Sequence, residues 1–330
     1  MKTTRSLRDA WTAVALALLV PAAWAQAPTP EQSKAMEAER ARQAALPDTP
    51  GTGAFPATKE EVPSLPDHVV YRPADLGALG AKKLGLYLFG NGGCSNDGAS
   101  SRLHMLEIAS HGYLAIALGR IRTGPGATMP PDPPRPAAAP GAPRVLPPPA
   151  TDAKGLVAAL DWAIAQNADP ASPYHSRIDT AAVAVSGYSC GGLQALQVAA
   201  DPRIRTLVIM NSGLFNEGSP IPSMNVPKSL LATVHGPTLY VLGGETDIAY
   251  RNGMDDFSRL DHVPAFVGNV VGAGHGGTYW QPNGGRAAAA VVAWLDWQLR
   301  GDLAAAKAFV GPECGLCVDP AWKVEKKKID

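Results

Sequence analysis

Apolar and polar positions alternate in blocks along the middle of the chain. Runs of consecutive apolar residues predict buried strands at 84–89, 113–118, 181–185, 206–210, 238–242 and 264–271. Between these runs, apolar residues at helical spacing predict helices at 102–110, 153–166, 191–200 and 286–299, the second capped by Thr151. Strands that alternate with helices form parallel βαβ units. The pattern therefore predicts the α/β class, with a mostly parallel central sheet and helices on both faces.

Other segments depart from this alternation. Residues 1–25 join a basic start to an apolar stretch and an Ala-Trp-Ala site, which predicts a secretory signal peptide too short to span a bilayer. Residues 26–66, rich in Ala, Pro and Glu, are expected to be a linker or extension with a polar helix at 31–46. One domain is then predicted over 67–330. Within it, residues 124–150 hold eleven prolines and are expected to overhang the sheet, either as a lid or as a variable insertion.

Charge and composition exclude several kinds of partner. The 29 basic and 29 acidic residues cancel, so no surface for nucleic acid or for an acidic membrane is expected. No apolar run is long enough to span a membrane. The basic end of the chain, Lys326 to Lys328, is expected to be solvated.

Export would place the four cysteines in an oxidising compartment, the periplasm or the medium. Cys314 and Cys317 form a CxxC in the tail, 314–330, without the second CxxC or the His pair that a zinc site needs. A structural disulfide is favoured there, and no metal is expected. Cys94 and Cys190 are candidates for a second bond. Four cysteines allow three pairings, and the sequence leaves the choice open.

The segment from Gly187 to Gly191 reads Gly-Tyr-Ser-Cys-Gly, a G-x-S-x-G motif between a predicted strand and a predicted helix. In that context the two glycines allow the sharp turn that exposes a serine hydroxyl at a helix N-terminus. A serine hydroxyl is a poor nucleophile without a base, which is itself oriented by an acid. Ser189 is therefore the candidate nucleophile.

A base and an acid are expected on loops later in the chain. Of the histidines after the motif, His275 lies in a glycine-rich loop directly after the last predicted strand, whereas His235 precedes a strand and His262 follows a helix. His275 is the candidate base. The loop after the preceding predicted strand offers Asp247, favoured because it reaches further along the loop, with Glu245 as the alternative acid.

Acyl transfer also needs hydrogen-bond donors for the developing oxyanion. The candidate donors are the backbone N–H groups of Cys190 and of Gly93, with Cys94 as the alternative to the latter. A disulfide between Cys94 and Cys190 would join the two halves of this oxyanion hole. Apolar residues that flank these loops are candidates for a substrate pocket, although such residues pack in cores equally often: Tyr188, Leu214, Phe215, Tyr279 and Trp280.

Four motifs carry a resemblance to a known family, and they occur in this order: Gly90-Asn91-Gly92-Gly93-Cys94, Gly187-Tyr188-Ser189-Cys190-Gly191-Gly192, Gly244-Glu245-Thr246-Asp247 and Gly274-His275-Gly276-Gly277. Over residues 67–300 the chain resembles secreted α/β-hydrolases of the dienelactone hydrolase-like branch, which includes polyester depolymerases and feruloyl esterases. Dienelactone hydrolases proper use a cysteine nucleophile. The depolymerases and feruloyl esterases often have His-Gly where this chain has Asn91-Gly92.

The resemblance implies the α/β-hydrolase fold and a serine esterase that cleaves a small-molecule or polymer ester through an acyl-enzyme. No cofactor is expected. Two alternatives use the same three residues: a serine peptidase and an acyltransferase. A non-catalytic binding protein that uses its Pro-rich segment is the third alternative. The sequence leaves the natural ester and the oligomeric state open.

Overall fold

The computed structural model describes residues 30–127 and 148–330. Within these residues nine strands form one sheet. They are β1 (Ala57–Glu60), β2 (His68–Pro73), β3 (Leu84–Gly90), β4 (Tyr113–Leu118), β5 (Ile178–Tyr188), β6 (Thr206–Met210), β7 (Thr238–Leu242), β8 (Ala265–Val270) and β9 (Trp322–Lys327). The helices are α1 (Pro30–Ala45), α2 (Arg102–Ser110), α3 (Ala153–Ala168), α4 (Cys190–Gln197), α5 (Tyr250–Arg259), α6 (Gly285–Arg300), α7 (Leu303–Ala306) and α8 (Gly315–Val318). The predicted signal peptide and residues 128–147 of the Pro-rich segment lie outside the described residues.

The strands lie in the order β1-β2-β4-β3-β5-β6-β7-β8-β9. Six of these strands run parallel to one another: β3, β4, β5, β6, β7 and β8. The outer strands β1, β2 and β9 pair antiparallel. The predicted mostly parallel sheet is confirmed. Because the carboxyl ends of parallel strands meet at one edge, the turns and loops after β3, β5, β7 and β8 are brought together there.

Both faces of the sheet are covered, as the apolar runs predict. Successive residues of a strand point to opposite faces, so Leu114 and Ile116 of β4 face one core and Tyr113 and Ala115 face the other. The first core includes buried side chains of α3, α4 and α5. The second includes those of α2 and α6, with Trp294 at its centre. The sheet thus lies between two helical layers, each packed on one of its faces.

The basic end of the chain is not a solvated tail, and that expectation is wrong. It forms β9, which pairs along the whole of β8. Trp322 is buried, while the ammonium groups of Lys326 and Lys327 donate to the carbonyls of Gly311 and Phe257 over 2.8 and 2.9 Å. The long apolar stems of these lysines let their charged ends reach carbonyl oxygens of neighbouring segments.

Two further features differ from the sequence-based expectation. The segment predicted as a linker or extension contains the expected polar helix, which is α1, but it also contains β1, whose residues pair with β2, so the sheet begins before residue 67. The N-cap of α3 is Asp152, whose carboxylate accepts from the N–H groups of Lys154 and Gly155. Thr151 instead donates its hydroxyl to the carbonyl of Cys94. Within the described ranges, no helix is both long enough and apolar enough to cross a bilayer.

Candidate active site

Ser189 lies in a sharp turn between β5 and α4. Its backbone has φ +54° and ψ −120°, a conformation that is strained for a residue with a side chain. Close packing on both sides holds it there: a Cβ on Gly187 would lie 2.1 Å from the carbonyl oxygen of Gly191. A Cβ on Gly191 would lie 2.0 Å from the carbonyl oxygen of Gly90 in β3. The two glycines of the motif are therefore required by backbone contact, and the turn presents the hydroxyl at the sheet edge.

A chain of hydrogen bonds joins Ser189, His275 and Asp247. The Nε2 atom of His275 lies 2.9 Å from the hydroxyl oxygen of Ser189, and its Nδ1 lies 2.7 Å from Oδ1 of Asp247. An ionised carboxylate only accepts, so Nδ1 carries the proton and donates it to Asp247. In the neutral ring Nε2 then accepts from the serine hydroxyl. This arrangement gives the hydroxyl proton a path to the imidazole.

Asp247 is buried and accepts four hydrogen bonds. Its Oδ1 accepts from His275 and from the N–H of Ala249. Its Oδ2 accepts from the N–H of Gly243 and from the side-chain amide of Asn211. Burial by itself raises the pKa of Asp247, but the hydrogen bond and charge of His275 and the two backbone donors outweigh it and lower the pKa below its usual value. The alternative acid, Glu245, is exposed to solvent on the same loop.

The two turns that carry the predicted oxyanion donors are linked to each other. A disulfide joins Cys94 to Cys190, and their Cα atoms are 5.2 Å apart. Cys190 is the first residue of α4, where an N–H has no acceptor within the helix. Gly93 precedes Cys94 with φ +64°, and a Cβ on it would meet open space. This turn therefore leaves room for a substrate to approach beside the N-terminus of α4. The second predicted bond, Cys314 to Cys317, is also present.

Tyr188 connects the turn around Ser189 to the histidine loop. Its hydroxyl donates to the carbonyl of His275 over 2.8 Å, and its ring lies 5.4 Å from the imidazole, centroid to centroid. A Cβ on Gly92 would lie 2.5 Å from the Tyr188 ring, so the turn that contains Gly92 and Gly93 packs closely against this side chain. Leu214 and Tyr279 are core residues, whereas Phe215 and Trp280 are partly buried on different cores.

The sequence reasoning missed two residues of the site, Asn211 and Ser212. They follow β6 directly, at the same carboxyl edge. Asn211 bonds to Asp247, and the hydroxyl of Ser212 donates to the carbonyl of Ser189 over 2.6 Å. Their place after a predicted central strand was the available signal. Among the described residues, no cluster of three or more His, Cys, Asp and Glu side chains is arranged to hold a metal ion.

Comparison with known proteins gives one family match. The family model described as "PETase: PET hydrolase-like" matches residues 144–247, just under a third of the chain. The matched stretch contains Ser189 and ends on Asp247, whereas His275 lies beyond it. A search among curated proteins found no match. Together with the mixed sheet, the family match confirms the resemblance to polyester depolymerases that the four motifs carry.

Proposed function

From the premise that the chain is a carboxylic ester hydrolase of the α/β-hydrolase fold, we propose that it is a serine esterase. Ser189 is the nucleophile, His275 the general base and Asp247 the acid that orients the imidazole. The observation that carries this proposal is the unbroken chain of hydrogen bonds from the Ser189 hydroxyl through both ring nitrogens to Asp247, at 2.9 and 2.7 Å.

Acylation begins when the Ser189 oxygen attacks the ester carbonyl carbon while its proton passes to Nε2 of His275. The carbonyl oxygen becomes an oxyanion, which the N–H groups of Cys190 and Gly93 bind. The imidazolium keeps its Nδ1 proton in the hydrogen bond to Asp247. When the tetrahedral intermediate collapses, the bond to the leaving oxygen breaks, and Nε2 returns a proton to the departing alcohol.

Deacylation repeats these steps with water as the nucleophile. His275 takes a proton from water, the hydroxide attacks the acyl carbon, and the serine oxygen leaves with the proton that Nε2 returns. The free acid departs and Ser189 is restored. The lowered pKa of Asp247 keeps the carboxylate ionised at neutral pH, so that its charge stabilises the imidazolium in both halves of the reaction.

The substrate we propose is a carboxylic ester of small or medium acyl length, free or part of a polymer. We further propose that residues 1–25 are a signal peptide and that the enzyme acts in the periplasm or the medium. Two disulfides in one chain support this location, because such bonds persist in oxidising compartments and are rare in reducing ones.

The test is hydrolysis of p-nitrophenyl esters from acetate to octanoate by the wild type, by Ser189→Ala and by the control Ser258→Ala. Ser258 is exposed on α5, away from the carboxyl edge. We expect Ser189→Ala to lose turnover by at least about 10⁴-fold, because the triad acts as a unit, and the control to match the wild type. Circular dichroism checks that each variant is folded.

Three outcomes would contradict the esterase. If Ser189→Ala keeps its turnover, Ser189 is not the nucleophile. A folded wild type that cleaves no ester of the series but cleaves peptides would be a peptidase. With an added alcohol, transfer of the acyl group to that alcohol in preference to water would identify an acyltransferase.

A further inference from the structure

The turn after β6 lies between the loops that carry the acid and the base. Asn211, its first residue, is buried, with 2% of its surface exposed. Its φ of +44° is in the left-handed region, which Asn tolerates better than most residues. The backbone N–H of Asn211 donates to the carbonyl of Val241 in β7 over 2.7 Å. The sheet thus fixes the point from which this side chain projects.

The carboxamide of Asn211 bridges the two loops. Its Nδ2 donates to Oδ2 of Asp247 over 2.8 Å and to the carbonyl of Gly274, the residue before His275, over 3.1 Å. Its Oδ1 accepts from the hydroxyl of Tyr279 over 3.4 Å. The opposite orientation of the amide would place its oxygen against a carboxylate and a carbonyl, so the contacts select the donating orientation.

The histidine loop depends on such anchors. Four of the six residues from Gly272 to Gly277 are glycine, and glycine loses the most conformational freedom when it is fixed. Two contacts hold the peptide groups on either side of the His275 Cα: the amide of Asn211 binds the carbonyl before it, and the hydroxyl of Tyr188 binds its own carbonyl. Of these two contacts, only that of Asn211 comes from a side chain that also binds Asp247.

The same turn reaches the nucleophile. Ser212 donates its hydroxyl to the carbonyl of Ser189, and the N–H of Ser189 donates to the carbonyl of Met210, the last residue of β6. Three consecutive residues, Met210 to Ser212, therefore contact Ser189, Asp247 and the histidine loop. Their positions are set by one rigid central strand, paired with β5 and β7.

We propose that Asn211 is a positioning residue for ester hydrolysis, which locks the carboxylate of Asp247 and the loop of His275 in register with Ser189. The inference rests on the proposed serine esterase and adds to it a fourth side chain, which touches no substrate. Its amide donates to Asp247 without carrying a charge or a titratable proton. It therefore orients the acid without competing for the proton of the imidazole.

The titratable groups around this amide are few. The amide contacts Asp247 on the β7 loop and Tyr279 on the β8 loop, while His275 follows the Gly274 carbonyl that the amide binds and Tyr188 packs against Tyr279. Burial raises the pKa of both tyrosines above the usual value, so their hydroxyls stay protonated and neutral. A change in the pH profile caused by a substitution at Asn211 therefore reports on Asp247 and His275.

The experiment compares Asn211→Ala and Asn211→Asp with a matched control, Asn269→Ala. Asn269 is a buried asparagine near the carboxyl end of β8, and its Nδ2 lies 3.6 Å from the sulfur of Met254. The readouts are kcat and KM on the best p-nitrophenyl ester, the pH profile of kcat/KM, and the rate at which a fluorophosphonate labels Ser189. Melting temperature and near-ultraviolet circular dichroism show whether each variant is folded.

For Asn211→Ala we expect kcat and the labelling rate to fall about 10- to 100-fold, the loss of a hydrogen bond to a charged group, with little change in KM. Asn211→Asp keeps the shape but places a second carboxyl beside Asp247. Two carboxylates this close do not both ionise readily, so the acid limb of its kcat/KM profile should move to higher pH. Asn269→Ala should keep the wild-type kcat and profile.

The inference is overturned if folded Asn211→Ala keeps kcat and labelling rate within about twofold of the wild type. It is also overturned if Asn211→Asp keeps the wild-type pH profile, or if Asn269→Ala loses as much activity as Asn211→Ala, since the effect would then be structural. The proposed function fails on a different result, namely turnover in Ser189→Ala. Failure of the positioning role is thus distinguishable from failure of the esterase.

Discussion

Asp247 and His104 are both buried titratable side chains, but the surroundings of Asp247 favour its charged form and those of His104 favour its neutral form. Asp247 stays ionised because donors saturate both of its oxygens. His104 lies in α2 among aromatic rings, fully buried. Its Nε2 is 2.9 Å from the hydroxyl of Tyr87, which in turn donates to Ser186. Its Nδ1 has no partner within the described part of the chain.

This difference predicts how stability depends on pH. Burial lowers the pKa of His104 from 6.5 to about 3, although the charge of Glu107 acts in the opposite direction. Below pH 6.5 the unfolded chain takes up a proton at His104 that the folded protein does not. The free energy of unfolding should therefore fall as the pH drops from 6.5 towards 3. His104 contributes a slope of up to about 1.4 kcal/mol per pH unit in this range, and its titration should not reduce the free energy of unfolding above pH 6.5.

Urea unfolding at pH 7 and at pH 5 checks this for the wild type, for His104→Gln and for His175→Gln. His175 is exposed and serves as the control. In His104→Gln the side chain can still bond to Tyr87 but does not titrate. The difference in the free energy of unfolding between pH 7 and pH 5 should therefore be smaller than in the wild type. An equal difference in all three proteins would assign the acid sensitivity to other groups.

The single residues of the site differ in how well a sequence reveals them. Ser189 lies in a motif whose two glycines are required by the turn itself, and His275 and Asp247 follow predicted strands in the expected order. Asn211 and Ser212 are ordinary polar residues after a strand. Their roles come from partners 23 to 63 positions away along the chain. Only the packed sheet brings such partners together.

At the scale of elements, the disulfide between Cys94 and Cys190 couples the turn after β3 to the N-terminus of α4. We expect Cys94→Ser/Cys190→Ser to lower kcat about 10- to 100-fold, less than the 10²- to 10³-fold typical of losing an oxyanion donor outright, because the proposed donors remain but are less firmly held. The bond spans 96 positions of sequence. Its loss should also reduce the free energy of unfolding by about 4 to 5 kcal/mol.

Cys314→Ser/Cys317→Ser is the matched control for this prediction. Its bond spans three positions, near the single turn of α8 and away from Ser189, and its loss should cost about 2 kcal/mol. The kcat of this variant should equal that of the wild type. Unchanged kcat in both double variants would mean that the two proposed oxyanion donors hold their positions without the bond.

Some helices and strands have the bounds that the sequence predicts, and others were not predicted. The helix α2 and the strands β4, β6 and β7 have the predicted bounds, because each is an uninterrupted run with one clear periodicity. The edge strands β1 and β9 were missed. Each is short and rich in polar or charged residues, so its local pattern is that of a loop, and only pairing with β2 or β8 makes it a strand.

At the scale of the molecule, one mostly parallel sheet brings together site residues that are spread over 183 positions of sequence, from Gly92 to His275. Loops after five parallel strands meet at its carboxyl edge, and two helical layers keep that edge in place. The motifs in the sequence predict the order of these loops along the chain. Their distances depend on packing and on the Cys94–Cys190 bond, which forms only where thiols can be oxidised.

The place of synthesis should therefore decide how active the enzyme is. Produced with residues 1–25 and exported, the protein should begin at Gln26, and alkylation without reductant should leave its mass unchanged. Produced without them in a reducing cytosol, it should take up alkyl groups at its cysteines and show a lower kcat, recovered on oxidation before alkylation. Intact mass and ester turnover of both forms check this. A reduced cytosolic form with the kcat of the exported one would show that catalysis does not require the bond, and the link between export and activity would be broken.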